Sequence, residues 1–367
     1  MIRFIALGGF LGAGKTTTIL AAAKQLEAQG RAVAVITNDQ GTSLVDTKLV
    51  RSQLDAVAEV TGGCFCCRFE DLMTVADRLL ADATVDTVIA EAVGSCTDLQ
   101  ATVLRPLRKY YGDRFQVAPL TTIVDPQRLR GFALAAERGE PESDMSYLFG
   151  HQLAEADVVA VNKNDLLGAS ERDELVSRLR DRYPNAKVLA YSAKTTDGLD
   201  ALLQAWDESP TSATVDIDYD RYAAAEAELA WFNNTYSIAA DSGFSASVWA
   251  RVALQSLAEA AAAAGWMIGH AKIAVETNDG LTKMSVTEAG AAPTVDVEAG
   301  NGQAQSGMAS LNARIRCEPA ELDAAGIAAV KAADAAAGTT SSAVAGTDVS
   351  FKPGYPTPTH RLLDATV

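Results

Sequence analysis

The sequence predicts an α/β protein of the P-loop NTPase class: a mostly parallel sheet flanked by helices, followed by a C-terminal α+β domain. Three observations carry this. Short apolar runs alternate with helical patterns over residues 1–208, and such alternation places helices on both faces of a parallel sheet. The run GFLGAGKT, Gly9 to Thr16, matches G-x-x-x-x-G-K-[ST] between a strand and a helix. Past DESPTSATVD, residues 207–216, the pattern changes to strands grouped around two long Ala-rich helices.

In chain order, IRFIALG, AVAVITN, TVDTVIAEA, LTTIVD, ADVVAVNK and KVLAYSA read as buried strands, rich in Val and Ile. KTTTILAAAKQLEAQG reads as a helix with Gly30 as its C-cap, and SERDELVSRLRDRY as a helix with Ser170 as its N-cap. A second domain is expected over residues 217–338. Its strands are YSIAAD, GHAKIAVET, KMSVTEA and ASLNARIRC, and its helices SASVWARVALQSLAEAAAAAG and PAELDAAGIAAVKAADAAAG. Residues 339–367, rich in Gly, Ser, Thr and Pro, read as an extended tail. Trp231, Trp249 and Trp266 are expected in the core, and Cys317 as a buried, inert thiol.

The composition narrows the function. A net charge of −16 and a pI near 4.6 repel phosphate backbones, so no nucleic-acid partner is expected. LAEAAAAAGWMIG carries a Glu and is too short to span a bilayer, so no membrane partner is expected either. The start of the chain runs straight into the phosphate-loop pattern instead of a signal peptide. Five cysteines, three of them within four positions, fit a thiolate site in a reducing compartment better than a disulfide framework. The expected location is the cytoplasm.

Each motif implies its own chemistry. In the loop, Gly12, Ala13 and Gly14 turn backbone N–H groups toward phosphates, and the helix N-terminus at Thr16 and Thr17 adds its positive end. Lys15 reaches the β and γ phosphates, and the Thr16 hydroxyl is a Mg²⁺ ligand. NKND, Asn162 to Asp165, and SAK, Ser192 to Lys194, follow two predicted strands and have the spacing of guanine-reading elements. An Asp165 carboxylate accepts from both N1–H and the exocyclic amine of guanine. Adenine has no donor at N1 and leaves that acceptor unpaired, at a cost of about 1–3 kcal/mol. Asn162 is expected on the other edge of the base, the Lys163 stem on its face, and the Ala193 N–H on its O6. Two further strand ends, TNDQG and AEAVG, supply Asp39 and Glu91, candidates for holding Mg²⁺ and orienting the attacking water. The Gly94 N–H is a candidate γ-phosphate sensor.

GGCFCC places Cys64, Cys66 and Cys67 together, soft ligands suited to Zn²⁺, Co²⁺ or Cu(I). In an extended chain Cys66 and Cys67 point to opposite sides, so the three thiols converge only if the chain turns there. The alternatives are three buried small side chains or, under oxidation, a strained vicinal disulfide.

GGFLGAGKTT, TNDQG, GGCFCC, EAVG, TIVD and NKND occur in the order seen in the CobW-like GTPases, relatives of the UreG and HypB nickel-insertion GTPases. The resemblance covers roughly residues 1–205 and is most specific at the C-x-C-C signature. It implies a GTPase that binds GTP or GDP, Mg²⁺ and a transition metal, Zn²⁺ or Co²⁺, and delivers the metal to a client metalloprotein. It implies Cys64, Cys66 and Cys67 as ligands, with Asp39 where the family usually has Glu. The chain departs from the pattern in three places. Cys96 follows EAVG on the second switch, either a ligand in one nucleotide state or a small buried side chain. There is no His-rich tract, only His151, His270 and His360, each expected to be structural or solvated. The C-terminal half does not resemble the family's usual one, so the client is open; a corrinoid enzyme is one candidate. A homodimer across the nucleotide face is expected. Two further readings stand beside metal delivery: remodelling of a client with CFCC structural, and metal sensing without transfer. NKND argues against a metabolic kinase.

Overall fold

A computed structural model describes the chain except residues 40–44, 82–83, 134–138, 140, 212–214, 301 and 365–367 and the side chains of Asp39 and Ala133. The chain forms two compact units. The first contains residues 1–40, 53–225 and 355–367; the second contains 41–52 and 226–354. The sequence placed the domain limits at 208, 217 and 338; by contacts, the first unit runs on to residue 225, and residues 41–52 and 355–367 each join the unit that is not their neighbour in sequence.

The first unit is built on eight parallel strands: β1 (Ile2–Gly8), β2 (Val33–Asp39), β3 (Val57–Thr61), β4 (Thr87–Glu91), β5 (Phe115–Val117), β6 (Thr121–Val124), β7 (Val158–Val161) and β8 (Lys187–Ala190). Their order is β3-β2-β4-β1-β6-β7-β8, with β5 pairing the start of β1. Most strands foreseen as apolar runs are covered on both faces, such as β4, β6 and β7, which are buried throughout; β8, also foreseen, lies at one sheet edge and is buried only at its middle. β3 was not foreseen. It forms the other sheet edge, and its sequence VAEVT is only half-buried. Helix α1 (Lys15–Ala28) buries Ile19, Ala22, Ala23 and Leu26. Gly30 follows it at φ 85°, the left-handed conformation that suits glycine just past a helix end. The helix expected to be capped by Ser170 is instead capped at Gly168 and begins at Ala169; the Glu171 carboxylate accepts from the Gly168 N–H at 3.4 Å.

In this arrangement the P-loop, the end of β2, the segment after β3, Glu91 and the loops after β7 and β8 all lie at the carboxyl edge of one parallel sheet, the edge at which such folds gather ligands. Gly9 shows how tightly the loop is held. Its φ is 122°, and a Cβ added there would lie 2.1 Å from the Ile123 carbonyl oxygen. Gly9→Ala is expected to destabilise the first unit by about 2–5 kcal/mol, read as a lowered urea midpoint at unchanged slope.

The second unit is an antiparallel sheet of β9 (Ala230–Phe244), β10 (Ile268–Thr277), β11 (Gly280–Val286), β12 (Thr294–Val297), β13 (Ala304–Ile315), β14 (Thr340–Ala343) and β15 (Val349–Phe351). The helices Ala246–Ala264 and Pro319–Ala337 pack on it around a core that includes Trp249, with Trp266 at its margin. Trp231 is also buried, with the Arg314 guanidinium 3.9 Å above its ring. Cys317 is only half-buried, and burial with nearby Glu321 pushes its thiol up to about 12. The expected tail is in part sheet, since β14 and β15 both pair with β9. Helix α2 (Val45–Arg51) belongs to this unit. Its N–H at Val45 donates to Asn312 Oδ1 at 3.0 Å, and Asp46 is held by Lys272 and Lys283.

Candidate functional site

The P-loop runs from β1 into α1, with Gly12 and Gly14 at φ 81° and 92°. Lys15 is buried and its Nζ donates to the Gly9 carbonyl at 2.8 Å, so the ammonium lies curled over the loop. Thr16 Oγ1 lies 3.1 Å from both carboxylate oxygens of Glu91. A hydroxyl and a carboxylate brought together at the loop are hard oxygen donors suited to Mg²⁺, so the residues fit that ion. Thr17 is exposed at the first turn of α1. Asp39 ends β2, and its side chain lies outside those described.

The loops after β7 and β8 carry the base-reading candidates, and two of them, Asn162 and the Ala193 N–H, are engaged differently from expectation. Asn162 was expected on the base. Instead its Nδ2 donates to the Ala13 carbonyl at 2.9 Å, and its Oδ1 accepts from the N–H groups of Lys163 at 2.8 Å and Ala193 at 2.9 Å. Both ends of the amide are therefore used to tie the P-loop to the two loops, and the Ala193 N–H expected at guanine O6 is turned to Asn162. A Cβ at Gly14 would collide with that amide at 2.4 Å, a second reason for glycine there. Lys163 is held at φ 59°, with its ammonium on the Gly12 carbonyl at 2.9 Å and paired to Asp125. Asp165 and Lys194 are exposed, whereas Ser192 is buried, its Oγ accepting from the Thr195 N–H at 3.1 Å.

The cysteine segment turns, as convergence requires. The Cys64 carbonyl accepts from the N–H groups of Cys67 at 3.1 Å and Arg68 at 2.9 Å, and helix α3 (Phe69–Leu80) starts at once. Cys64 and Cys66 Sγ atoms lie 2.6 Å apart, Cys66 and Cys67 Sγ atoms 3.8 Å apart, and all three thiols fall within 4.8 Å of one another. Cys96, from the segment after β4, is buried and its thiol hydrogen-bonds to Cys64 and Cys66. The bonds from Cys66, then Cys67 and Cys96, hold the Cys64 thiol well below its ordinary value. Cys66, the donor to it, is pushed up, and Cys67 rises to about 11 through its bond to Cys64. The soft sulfur set of the cluster fits Zn²⁺ or Co²⁺.

One residue of the site was not singled out in the sequence. Asn38, buried at the end of β2, donates to the carbonyls of Val60 at 3.0 Å and Gly63 at 2.8 Å and accepts from the Phe65 N–H at 3.0 Å. It pins the cysteine turn to the end of β2. Its signal in the sequence is the polar end of the strand in TNDQG, beside Asp39.

The segment after β4 is held from behind. Gln152 Nε2 donates to the carbonyls of Gly94 at 3.0 Å and Cys96 at 2.8 Å. A Cβ at Gly94 would strike Leu11 of the P-loop at 2.6 Å. Thr97 Oγ1 contacts His151 Nδ1 at 2.8 Å and donates to Glu155 at 2.8 Å, and Glu155 also accepts from the Gln100 N–H at 3.0 Å. His151 is therefore structural, as expected. Burial raises the Glu155 carboxyl from its ordinary 4.5 to about 8. Between those values the folded chain binds a proton that the unfolded chain does not. Stability is then full below about 4.5 and falls as pH rises toward 8, at ~1.4 kcal/mol per pH unit. Glu155→Gln is expected to flatten that slope in denaturant melts run from pH 5 to 8.

Fold and loop together define a protein of the P-loop NTPase class with a cysteine centre at the same sheet edge. The model of the CobW/HypB/UreG nucleotide-binding domain matches residues 3–190, over half of the chain. The chain belongs to that family. It is 29% identical over 193 residues to the zinc chaperone CobW of a Sinorhizobium species, covering 46% of this chain and 54% of that one. It is 26% identical over 185 residues to the zinc chaperone YjiA of Escherichia coli, covering 48% and 54%. The chain thus spans about half the length of the curated relatives it matches. Among solved structures, Zn(II)-bound YjiA from E. coli matches at 18% identity and a TM-score of 0.37, over 89% of this chain and 98% of that one. HypB from Helicobacter pylori in complex with nickel matches at 18% identity and a TM-score of 0.41, over 59% and 92%. Among the described residues no helix is long and apolar enough to cross a membrane.

Proposed function

We propose that the protein is a GTP-hydrolysing metallochaperone that couples its nucleotide state to binding of a transition metal, Zn²⁺ or Co²⁺, and passes the metal to a client metalloprotein. The observation that carries this is the double attachment of the cysteine centre. Asn38 ties its turn to the first switch strand, and Cys96 brings a thiol from the second. A change at the nucleotide that moves either switch must then alter the sulfur geometry, which gives the two states the differential affinity that coupling needs. Gly12, Ala13, Gly14 and Lys15 would hold the phosphates, Thr16 and Glu91 the Mg²⁺, and Asp165 the guanine. Relatives named as zinc chaperones support the metal assignment.

The test is turnover with a metal acceptor. Protein loaded with Zn²⁺ is mixed with a chromophoric chelator and given GTP or a non-hydrolysable analogue. Faster transfer with GTP alone is the expected result. Equal transfer in both would leave the metal structural. In the same assay Asp165→Asn should weaken GTP use and favour xanthosine triphosphate, whose C2 carbonyl needs a donor where guanine needs an acceptor.

A further inference from the structure

Residues 355–364 return to the first unit and cross the cysteine centre. The Thr357 N–H reaches the Cys67 thiol. The Thr359 N–H donates to the Cys66 carbonyl at 2.8 Å, and Thr359 Oγ1 donates to the Cys67 carbonyl at 3.2 Å. His360 sets its ring edge against Phe69, 5.0 Å between centroids, at the start of α3. Next, Arg361 Nε donates to Asp98 at 2.8 Å, and its other end pairs with Asp216. The Leu362 N–H then donates to the Ala101 carbonyl at 2.8 Å, while Arg105 donates back to the Leu362 carbonyl at 2.9 Å.

One short stretch therefore bonds the backbone of the cysteine turn at one end and the second switch at the other. Asp98 is the anchor. It is 2% exposed, sits at φ 60° two positions after Cys96, and accepts from Arg361 and the Tyr219 hydroxyl. A left-handed, buried aspartate is costly unless its partners hold it, so the Arg361 pair and the switch conformation depend on each other. Cys67, the only half-exposed thiol of the three, is the one the strap crosses.

We propose that residues 357–363 are a strap that closes the metal centre, and that the Arg361–Asp98 pair latches it to the second switch, so that metal leaves on the Cys67 side only when the latch opens. Arg361 is then a positioning residue: it orders the ligand turn without being a ligand. The inference rests on the metal reading above.

The experiment uses the whole chain, residues 1–367, loaded with Co²⁺, and follows loss of the cobalt–thiolate absorption to excess chelator by stopped flow. Arg361→Ala should release metal about tenfold faster, the scale of one lost charged hydrogen bond, with the starting spectrum unchanged. Arg361→Lys should restore part of the delay. Thr359→Pro removes the N–H bond to Cys66 and leaves Asp98 paired, so it tests the strap even if Arg361→Ala misfolds; it should also speed release. Amide exchange at residues 66–68 should rise in both variants. Unchanged release and unchanged exchange in Arg361→Ala and Thr359→Pro, with Cys-dependent metal still bound, would overturn the strap alone. Absence of any Cys-dependent metal binding would overturn the strap and the metal reading together.

Discussion

Cys66→Ser is expected to lower metal affinity by more than ~100-fold, beyond the ~10–100-fold that losing an outer-shell partner costs. Cys66 stands at the middle of the cluster, 2.6 Å from Cys64 and 3.8 Å from Cys67, and also bonds Cys96. Its replacement by serine removes a soft sulfur donor from the middle of the cluster and leaves a hard hydroxyl that suits such a metal less well. Metal binding must also displace protons from Cys66 and Cys67, both raised above their ordinary value. Affinity should therefore climb with pH across the neutral range, and the climb should be shallower in the serine variant. Competition against a zinc-selective dye at several pH values reads both effects.

Glu91→Gln is expected to slow GTP hydrolysis by about 100-fold or more. The carboxylate lies on the Thr16 hydroxyl through both oxygens, and an amide keeps the shape but not the charge that a Mg²⁺ site needs. Binding of GDP without Mg²⁺ should change little, because the P-loop itself is untouched. A matched loss of GDP affinity in the absence of Mg²⁺ would instead make Glu91 a support of the loop. Phosphate release and fluorescent GDP titration separate the two.

The parallel sheet was legible because strands buried on both faces must be apolar along their length, as in β4, β6 and β7. The P-loop was legible because its glycines answer backbone demands, which a sequence records directly. Elements held by polar pairing were harder to read. β9 was expected only over YSIAAD; it also takes in AWFNNT, with two asparagines. Asn233 is nevertheless buried in the strand, accepting from Asn312 Nδ2 at 2.9 Å and from Arg314 at 3.1 Å on the neighbouring strand. Its stability there is a long-range property, invisible in a local window. The same holds for Asn38 and Asn162, whose amides join segments far apart in sequence. The return of residues 355–364 to the cysteine turn depends on backbone carbonyls at Cys66 and Cys67, which no side-chain pattern encodes.

The central claim is that nucleotide state gates the cysteine centre. Anaerobic titration of the protein with Co²⁺, once with GDP and once with a non-hydrolysable GTP analogue, tests it most directly through the thiolate–cobalt absorption. Different affinities are expected in the two states, with Cys96→Ser lowering affinity in only one of them. Equal affinities in both states, for the native chain and for Cys96→Ser alike, would contradict it.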